Sequence, residues 1–385
     1  MSERELSAPP TRAGDEWWPV LARLLAAVLV TFTAFGIVVP VIPIYVLDQL
    51  HGPPFVVGLA FAGSGIAALL ARPYVGQLAQ RWGSRRVMLV GAVLATATGA
   101  LYAVPAGLAG LLIARLLMGV AESTVFTAGS VWTVAIAPQD RRAQLVGWYG
   151  LAMWGGWTIG PIAGVALMRF GGYGAVWLVA ALAPLATVGI LLSMRAEPPA
   201  GSAVSRRLVP RAVLLPGAAL ALAAYGYAAL TGFVVLHLSD RGIGGGAVML
   251  SLFGAAYVGV RLFAGRLPDR VGPSRVIIWC GLGEAVGLLL ITTATTWPQA
   301  AVGALVMGGG FTLLYPALAL VVIRRSPQAE QGAALGAFTS FWDLGLGASG
   351  LLAGAIAQLG YPWVFALATV LAVLAGVVGS LRPNT

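Results

Sequence analysis

Charged side chains are scarce in this chain of 385 residues: they make up 9% of it, whereas 59% of the residues are hydrophobic. Soluble domains contain about 25% charged and about 45–50% apolar residues, so a water-soluble globule is excluded. Lysine is absent, and the 23 basic residues are all arginines, most of them in short clusters between long apolar runs. A nucleic-acid surface is not expected, because its basic residues would line one face of a polar domain.

Residues that bind metals or form disulfides are also few. The single cysteine, Cys280, lies in an apolar run, which excludes a disulfide framework and a thiolate metal site. The two histidines, His51 and His237, are far apart in the sequence, so no zinc site is predicted. We recognise no nucleophile–base set and no phosphate-binding glycine loop. The sequence therefore predicts a protein that is not an enzyme and needs no cofactor.

Long apolar runs, by contrast, are abundant. A membrane-spanning helix needs about 20 mainly apolar residues, and the sequence predicts an all-α polytopic membrane protein of twelve spans with no separate soluble domain. Residues 1–18 are polar, and the apolar run after them is too long for the core of a signal peptide, so we expect it to be the first span. The predicted spans are 19–47, 54–79, 87–105, 107–136, 143–168, 173–194, 212–238, 247–267, 276–296, 298–323, 331–358 and 361–381.

The arginines indicate how these spans are oriented. If the N-terminus is cytoplasmic, the outer loops carry only Arg169 and Arg241. An excess of Lys and Arg marks cytoplasmic loops, so we predict cytoplasmic N- and C-termini in a cytoplasmic (inner) membrane. The net charge of +10 then reflects topology rather than a binding partner. The arginines of the inner loops are Arg81, Arg85, Arg86, Arg141, Arg142, Arg195, Arg206, Arg207, Arg211, Arg266, Arg270, Arg275, Arg324 and Arg325.

An internal repeat divides the spans into two sets of six. Segments 72–86 and 261–275, separated by 189 positions, share six residues in register. We predict two pseudo-symmetric six-helix bundles, 1–194 and 212–385, with a cavity between them and a cytoplasmic linker at 195–211. The same offset relates Leu116, Met118, Gly119 and Gly147 to Leu305, Met307, Gly308 and Gly336.

Several motifs resemble those of one transporter family. GQLAQRWG at 76–83 and GRLPDRVG at 265–272 are similar to the paired loop signatures of the major facilitator superfamily. The glycines of span 5 match the spacing of a motif of its proton-coupled drug exporters, and 36–43 and 115–119 resemble two further exporter motifs. The resemblance implies conformational roles for Gly76, Gln80, Arg81, Gly83, Asp269, Arg270, Gly156, Gly160, Pro161 and Gly164.

One residue departs from the family pattern. Gln80 stands where the loop signature usually has an acid, which helps to latch the cytoplasmic side closed in the family, whereas the second copy keeps Asp269. We therefore expect this latch to be weakened or shifted to the second bundle.

The glycines of span 5 also allow a simpler interpretation. Gly156, Gly160 and Gly164 recur every four residues and let a neighbouring helix approach closely, while Pro161 bends the segment. Ordinary packing of small residues is the alternative to an exporter motif.

Ionisable residues at membrane depth cost at least about 2.5–3.5 kcal/mol, so each needs a reason. Glu122 in span 4 and Asp343 in span 11 are the first candidates for binding a proton or a substrate. Arg115, seven residues before Glu122, is expected to tune it through a shared water-filled cavity. Glu284 in span 9 is a weaker candidate, because that span lies at the periphery in the family. A structural carboxyl tied to a neighbouring helix is the alternative for Glu122, and packing against span 8 or 10 is the alternative for Glu284.

Aromatic residues are concentrated in spans 5 and 11. Trp154, Trp157, Phe341 and Trp342 are candidates for lining a pocket for an apolar or cationic substrate, with helix packing as the alternative. Arg72 and Arg261, placed by sequence at the cytoplasmic ends of spans 2 and 8, are expected to anchor and gate.

These features together predict a secondary transporter that works by alternating access. The preferred function is export of a small amphiphilic or cationic compound in exchange for protons. An uncoupled carrier, or one for lipids, sugars or siderophores, is the alternative, and a membrane receptor without transport activity is less favoured. The expected partners are a small molecule, protons and the lipid bilayer, with no nucleic acid and no bound metal, and the protein is expected to be a monomer.

Overall fold

The computed structural model describes residues 17–138, 141–195, 211–327 and 331–381. All regular secondary structure within these ranges is helical, and a short helix, Leu267–Val271, lies between spans 8 and 9. The predicted linker, apart from its first and last residues, lies outside the described residues. The spans are Trp17–Val38 with Val41–Asp48 (span 1), Pro54–Trp82 (2), Ser84–Ala103 (3), Gly107–Ile136 (4), Arg142–Leu192 (5 and 6), Arg211–Asp240 (7), Gly246–Ala264 (8), Pro273–Thr292 (9), Trp297–Phe311 with Leu314–Arg325 (10), Gln331–Ala357 (11) and Tyr361–Ser380 (12).

The helix Arg142–Leu192 is 51 residues long and contains two spans. Gly172, with φ 63° and ψ −161°, interrupts its helical backbone, a conformation that a residue without a Cβ adopts easily. Among the described residues, eleven helices have the length and hydropathy of a span when this long helix is counted once. The chain is therefore a multi-pass membrane protein, and the predicted set of twelve spans is confirmed.

Two of the spans predicted as continuous helices are interrupted near a proline. Span 1 breaks at Val39 and Pro40, and span 10 breaks at Thr312 and Leu313. Proline has no N–H to donate to the carbonyl four residues earlier, so Pro316 leaves the Thr312 carbonyl without its helical donor. That carbonyl accepts a side-chain hydrogen bond instead, as described below.

The pseudo-symmetry predicted from the repeat is present in the backbone and in the packing. Span 9 begins and ends 189 positions after span 3. Gly83 and Gly272, which precede these spans, have φ of 86° and 96° and the same ψ of 142°, a left-handed conformation that favours glycine. Gly119 packs on the backbone of Ser64, and its counterpart Gly308 packs on that of Phe253, the counterpart of Ser64.

The two bundles touch through span 2 with span 11 and through span 5 with span 8. Gly65 packs against Gly347 in the first contact, and Gly254 packs against Thr158 in the second. The offset of 189 relates these two pairs, so the interfaces are equivalent. Near the loops rich in arginine the two bundles are apart. A Cβ added to Gly147 or Gly336 there would have no neighbouring atom within 4 Å. The protein is therefore closed at one end and open at the end that carries these loops, the arginine-rich end.

The glycine face of span 5 packs on span 1 inside the first bundle. Gly160 lies so close to Gly36 that a Cβ on Gly160 would be 2.5 Å from the Gly36 Cα atom. Gly156 and Gly164 lie equally close to the backbones of Thr33 and Ile37. Span 5 passes through Pro161 as a helix. In this conformation the three glycines allow close packing of two helices, which is what the simpler interpretation predicts.

Candidate functional site

A cavity of about 860 Å³ lies between the two bundles and receives side chains from both. Gly76 and Gln80 of span 2 and Gly336 of span 11 line it near the arginine-rich end. Glu122, near the middle of span 4, and Arg115, seven residues before it, line it as well. The cavity is thus accessible from one end of the molecule, while the glycine contacts described above close the other end.

Glu122 contributes a carboxyl group to the lining of the cavity. Its side chain is half-buried, and among the described residues it has no hydrogen-bond or ion-pair partner within contact distance. It lies in electrostatic range of Arg72, Arg115 and Asp343. A half-buried carboxyl without a fixed partner can exchange a proton or bind a cationic group.

Arg115 lines the cavity, but its guanidinium is held by neighbouring groups. It is 2% exposed, and it donates hydrogen bonds to the Ala60 carbonyl at 3.0 Å and to Ser64 Oγ at 2.9 Å. The guanidinium also lies over the Phe61 ring, 4.5 Å from its centroid, at a distance where a cation–π contact stabilises the charge. Arg115 therefore ties span 4 to span 2, while its positive charge remains in electrostatic range of Glu122.

Asp343 forms an ion pair with Arg72 across the interface between spans 2 and 11. Arg72 donates from Nε to Oδ2 at 2.5 Å and from a terminal nitrogen to Oδ1 at 2.8 Å, the bidentate geometry that makes such pairs strong. Arg72 thus lies within span 2 and not at its end, because the helix continues for ten further residues, to Trp82. The expectation that Arg72 sits at the cytoplasmic end was wrong.

An aromatic wall faces these charged groups. Trp154 stacks on Tyr257 with ring centroids 4.0 Å apart and meets Tyr227 edge-on at 5.5 Å. Tyr227 in turn contacts Phe311 at 6.2 Å and Trp342 at 5.6 Å. Trp157 lines the cavity as well. The wall therefore contains three of the four predicted aromatic residues.

Three residues of the wall, Tyr227, Tyr257 and Phe311 in spans 7, 8 and 10, were not predicted. Each of these spans also carries an aromatic residue that does not line the cavity, Tyr225, Phe263 and Trp297 respectively, so the sequence does not mark which rings face it. The packing of five spans brings the rings of the wall together. The fourth predicted residue, Phe341, packs against Gly217 and is not among the residues that line the cavity.

Glu284 lies apart from this site. It is fully buried in the second bundle, with Oε1 beside Gly226 of span 7, and both carboxyl oxygens lack a hydrogen-bond partner in the described structure. Glu284 does not line the cavity. The structure therefore does not bring it together with Glu122 and Asp343.

The loop signatures lie at the open end. Gly83 makes the turn between spans 2 and 3, and Arg81 is exposed. Asp269 and Arg270 are exposed as well, and neither forms an ion pair within the described part of the chain. Gln80 has a buried Oε1 without a hydrogen-bond partner. In this open conformation neither copy of the signature forms an acidic latch.

No group of three or more His, Cys, Asp and Glu side chains that could hold a metal ion occurs among the described residues. Among the described residues, the groups that line the cavity are the Glu122 carboxyl, three guanidiniums and aromatic rings, with the Asp343 carboxylate behind Arg72. These groups can bind protons and small organic molecules.

A family model described as Major Facilitator Superfamily matches residues 24–248 and 217–384. Similar curated proteins include an uncharacterised MFS-type transporter of Salmonella typhimurium strain LT2, 32% identical over 368 residues, 93% of this chain and 95% of that protein. The uncharacterised MFS-type transporter YhhS of Escherichia coli strain K12 is 32% identical over 370 residues, 92% of this chain and 90% of that protein.

Solved structures share the fold at low sequence identity. A point mutant of the nucleoside transporter NupG matches with a TM-score of 0.78 and 14% identity, over 94% of this chain and 98% of that chain. The human organic anion transporter MFSD10 (TETRAN) matches with a TM-score of 0.68 and 17% identity, over 94% of this chain and 99% of that chain.

Proposed function

This chain belongs to the major facilitator superfamily and is a membrane transporter rather than an enzyme, and we propose that it exports a small amphiphilic compound in exchange for protons. Transport proceeds by alternating access, with the two bundles rocking about the central cavity. The family assignment supports transport of a small molecule. Export, proton coupling and the drug-exporter branch are our proposals.

The observation that carries this proposal is the carboxyl of Glu122, which has no partner among the described residues and lines a cavity open at one end. A carboxylate there attracts a cationic group of the substrate, and a proton bound to the same oxygens removes that attraction. Proton and substrate therefore compete for one site, which is the requirement for exchange in opposite directions.

The direction of transport follows from the proposed orientation. Cytoplasmic termini place the arginine-rich loops in the cytoplasm, so the open end of the cavity faces inward. The conformation described here is then the one that releases a proton and loads substrate from the cell. The proposed location is the cytoplasmic membrane, with the chain acting as a monomer.

The sequence predicted that Asp343 binds a proton or a substrate, whereas in this proposal it has a structural role. Its carboxylate is held by two hydrogen bonds from Arg72, so it joins the bundles at the interface of spans 2 and 11. Glu122 carries the proton. The ion pair keeps the two bundles in register as they rock.

The proposal is tested with purified protein in proteoliposomes loaded with fluorescent organic amines of graded hydrophobicity. Acidifying the exterior should drive amine efflux by the wild type, and Glu122→Gln should abolish the dependence on the pH gradient. Glu284→Gln is the matched control, because it makes the same chemical change away from the cavity. Gradient-driven efflux that persists in Glu122→Gln would refute Glu122 as the coupling site. Efflux by the wild type that ignores the gradient would instead identify an uncoupled carrier.

A further inference from the structure

Arg261 is the symmetry counterpart of the paired Arg72, but no acidic partner is found for it among the described residues. The offset of 189 relates Arg72 to Arg261 and relates Trp154 to Asp343. The contacts of Gly65 with Gly347 and of Gly254 with Thr158 show that the two bundle interfaces are equivalent. One interface thus pairs Arg72 with the carboxylate of Asp343. In the other interface the equivalent arginine is Arg261, and the indole of Trp154 stands at the position equivalent to Asp343.

The local structure leaves most of the Arg261 guanidinium available. One terminal nitrogen donates to the Thr312 carbonyl at 3.1 Å, the carbonyl that Pro316 leaves free. The side chain lines the cavity and is half-buried, and within the described ranges no carboxylate lies within ion-pair distance of it. A guanidinium has five N–H donors, so several remain for a ligand.

The charges of the cavity do not balance without a ligand. The guanidiniums of Arg72, Arg115 and Arg261 line it, whereas the carboxyls are those of Glu122 and of Asp343 behind Arg72. Asp343 neutralises Arg72, and Glu122 lies in electrostatic range of Arg115. The positive charge of Arg261 remains uncompensated within the described part of the chain. A half-buried charge is stabilised by a hydrogen-bonded partner of opposite sign.

We propose that Arg261 binds an anionic group of the transported compound, a carboxylate or a related oxyanion. This inference rests on the proposed function, in which a cationic group binds at Glu122, and it makes the substrate a zwitterion. Guanidinium recognises such oxyanions through two parallel hydrogen bonds. The substrate class thereby narrows from amphiphilic amines to amphiphiles that carry both charges.

Two tyrosines lie between the charged ends of this site. Tyr227 is in electrostatic range of Glu122 and of Tyr257, and Tyr257 is in electrostatic range of Arg261. A substrate that reaches both ends therefore lies along these rings, beside the Trp154 indole that stacks on Tyr257. Its two charges must be separated by an apolar or aromatic body, unlike those of a simple α-amino acid.

The test measures equilibrium binding without any gradient, so it does not depend on proton coupling. Sets of three compounds share one fused aromatic ring system and carry an amine, a carboxylate, or both at opposite ends. Each is titrated against the purified wild type by thermal stabilisation and calorimetry at constant pH. We expect the tightest binding from zwitterions, and loss of the charge-assisted hydrogen bonds in Arg261→Gln should weaken it by about tenfold to a hundredfold. The amines should bind Arg261→Gln as they bind the wild type.

Two further variants separate anion recognition from a general loss of charge or fold. Arg241→Gln is the matched control, since Arg241 also donates to one backbone carbonyl, that of Ala294 at 2.8 Å, but does not line the cavity. Arg261→Lys should recover part of the affinity because it keeps the charge. The proposal is overturned if no compound with a carboxylate binds, or if Arg261→Gln and Arg241→Gln weaken the zwitterions equally. Gradient-driven efflux that persists in Glu122→Gln would refute Glu122 as the coupling site but would leave this binding result unchanged.

Discussion

Removing one partner of the Arg72–Asp343 ion pair should lower the free energy of unfolding more than removing both partners. The side chains are 15% and 4% exposed, respectively, and breaking a buried pair by deleting one member costs about 3–5 kcal/mol. We expect about 4 kcal/mol of destabilisation for Arg72→Met, because Asp343 accepts hydrogen bonds only from Arg72 within the described structure.

The cost for Asp343→Leu should lie near the lower limit of that range, about 3 kcal/mol. The cost is lower because Arg72, left unpaired in this variant, still faces the cavity. Arg72 also reaches Thr127 Oγ1 at 3.5 Å and lies 5.9 Å from the centre of the Phe126 ring. The double variant buries no unpaired charge and should be within about 2 kcal/mol of the wild type, since apolar replacements of whole buried pairs are often neutral or stabilising.

The assay is reversible unfolding in mixed micelles, followed by the fluorescence of the 12 tryptophans. The double-mutant cycle should give a coupling energy of several kcal/mol, well above the average of about 0.6 kcal/mol for hydrogen bonds between helices of a membrane protein. Arg241→Met, which removes an arginine outside the cavity, should change stability by less than about 1 kcal/mol. A coupling energy at or below that average would refute the ion pair as a link between the bundles.

Two other changes test the packing. Glu284→Met should raise the unfolding free energy by about 1–3 kcal/mol, because both carboxyl oxygens of Glu284 are buried without partners in the described structure; an unchanged or lower value in the same assay would contradict this. Gly160→Ala should cost about 1–3 kcal/mol, because its new Cβ would be 2.5 Å from the Gly36 Cα atom. The matched Gly147→Ala meets open space and should be neutral or stabilising by up to about 1 kcal/mol, so equal effects of the two substitutions would contradict the close contact.

The features that could be predicted from the sequence are those with a linear signal. Apolar runs of about 20 residues marked the spans, and the break at Gly172 fell between the predicted spans 5 and 6. The offset of 189 predicted which positions are equivalent, and it also relates the two bundle interfaces through Gly65 and Gly254. Glu122 stood out because an acid at membrane depth is costly and needs a reason.

The composition of the site depended on which way each helix faces. A span that is apolar on all sides carries no periodic mark of its buried face, and lipid supplies no hydrophobic force to select one. Glu284 and Glu122 are both acids within apolar spans, and only the family resemblance ranked Glu284 lower. In the structure Glu284 lies inside a bundle, whereas Glu122 lines the cavity. Tyr227, Tyr257 and Phe311 share their spans with aromatic residues that do not line the cavity, so no sequence signal set them apart.

The sequence by itself determined that the protein crosses the membrane twelve times in two related sets of six, because hydropathy and repetition are properties of the chain alone. Only the tertiary structure decided that Arg72 meets Asp343, 271 positions away, while Arg261 meets no acid in the described structure. The reason is physical: charges in a low-dielectric interior are stabilised by the groups that packing places beside them, and helices from both bundles supply those groups.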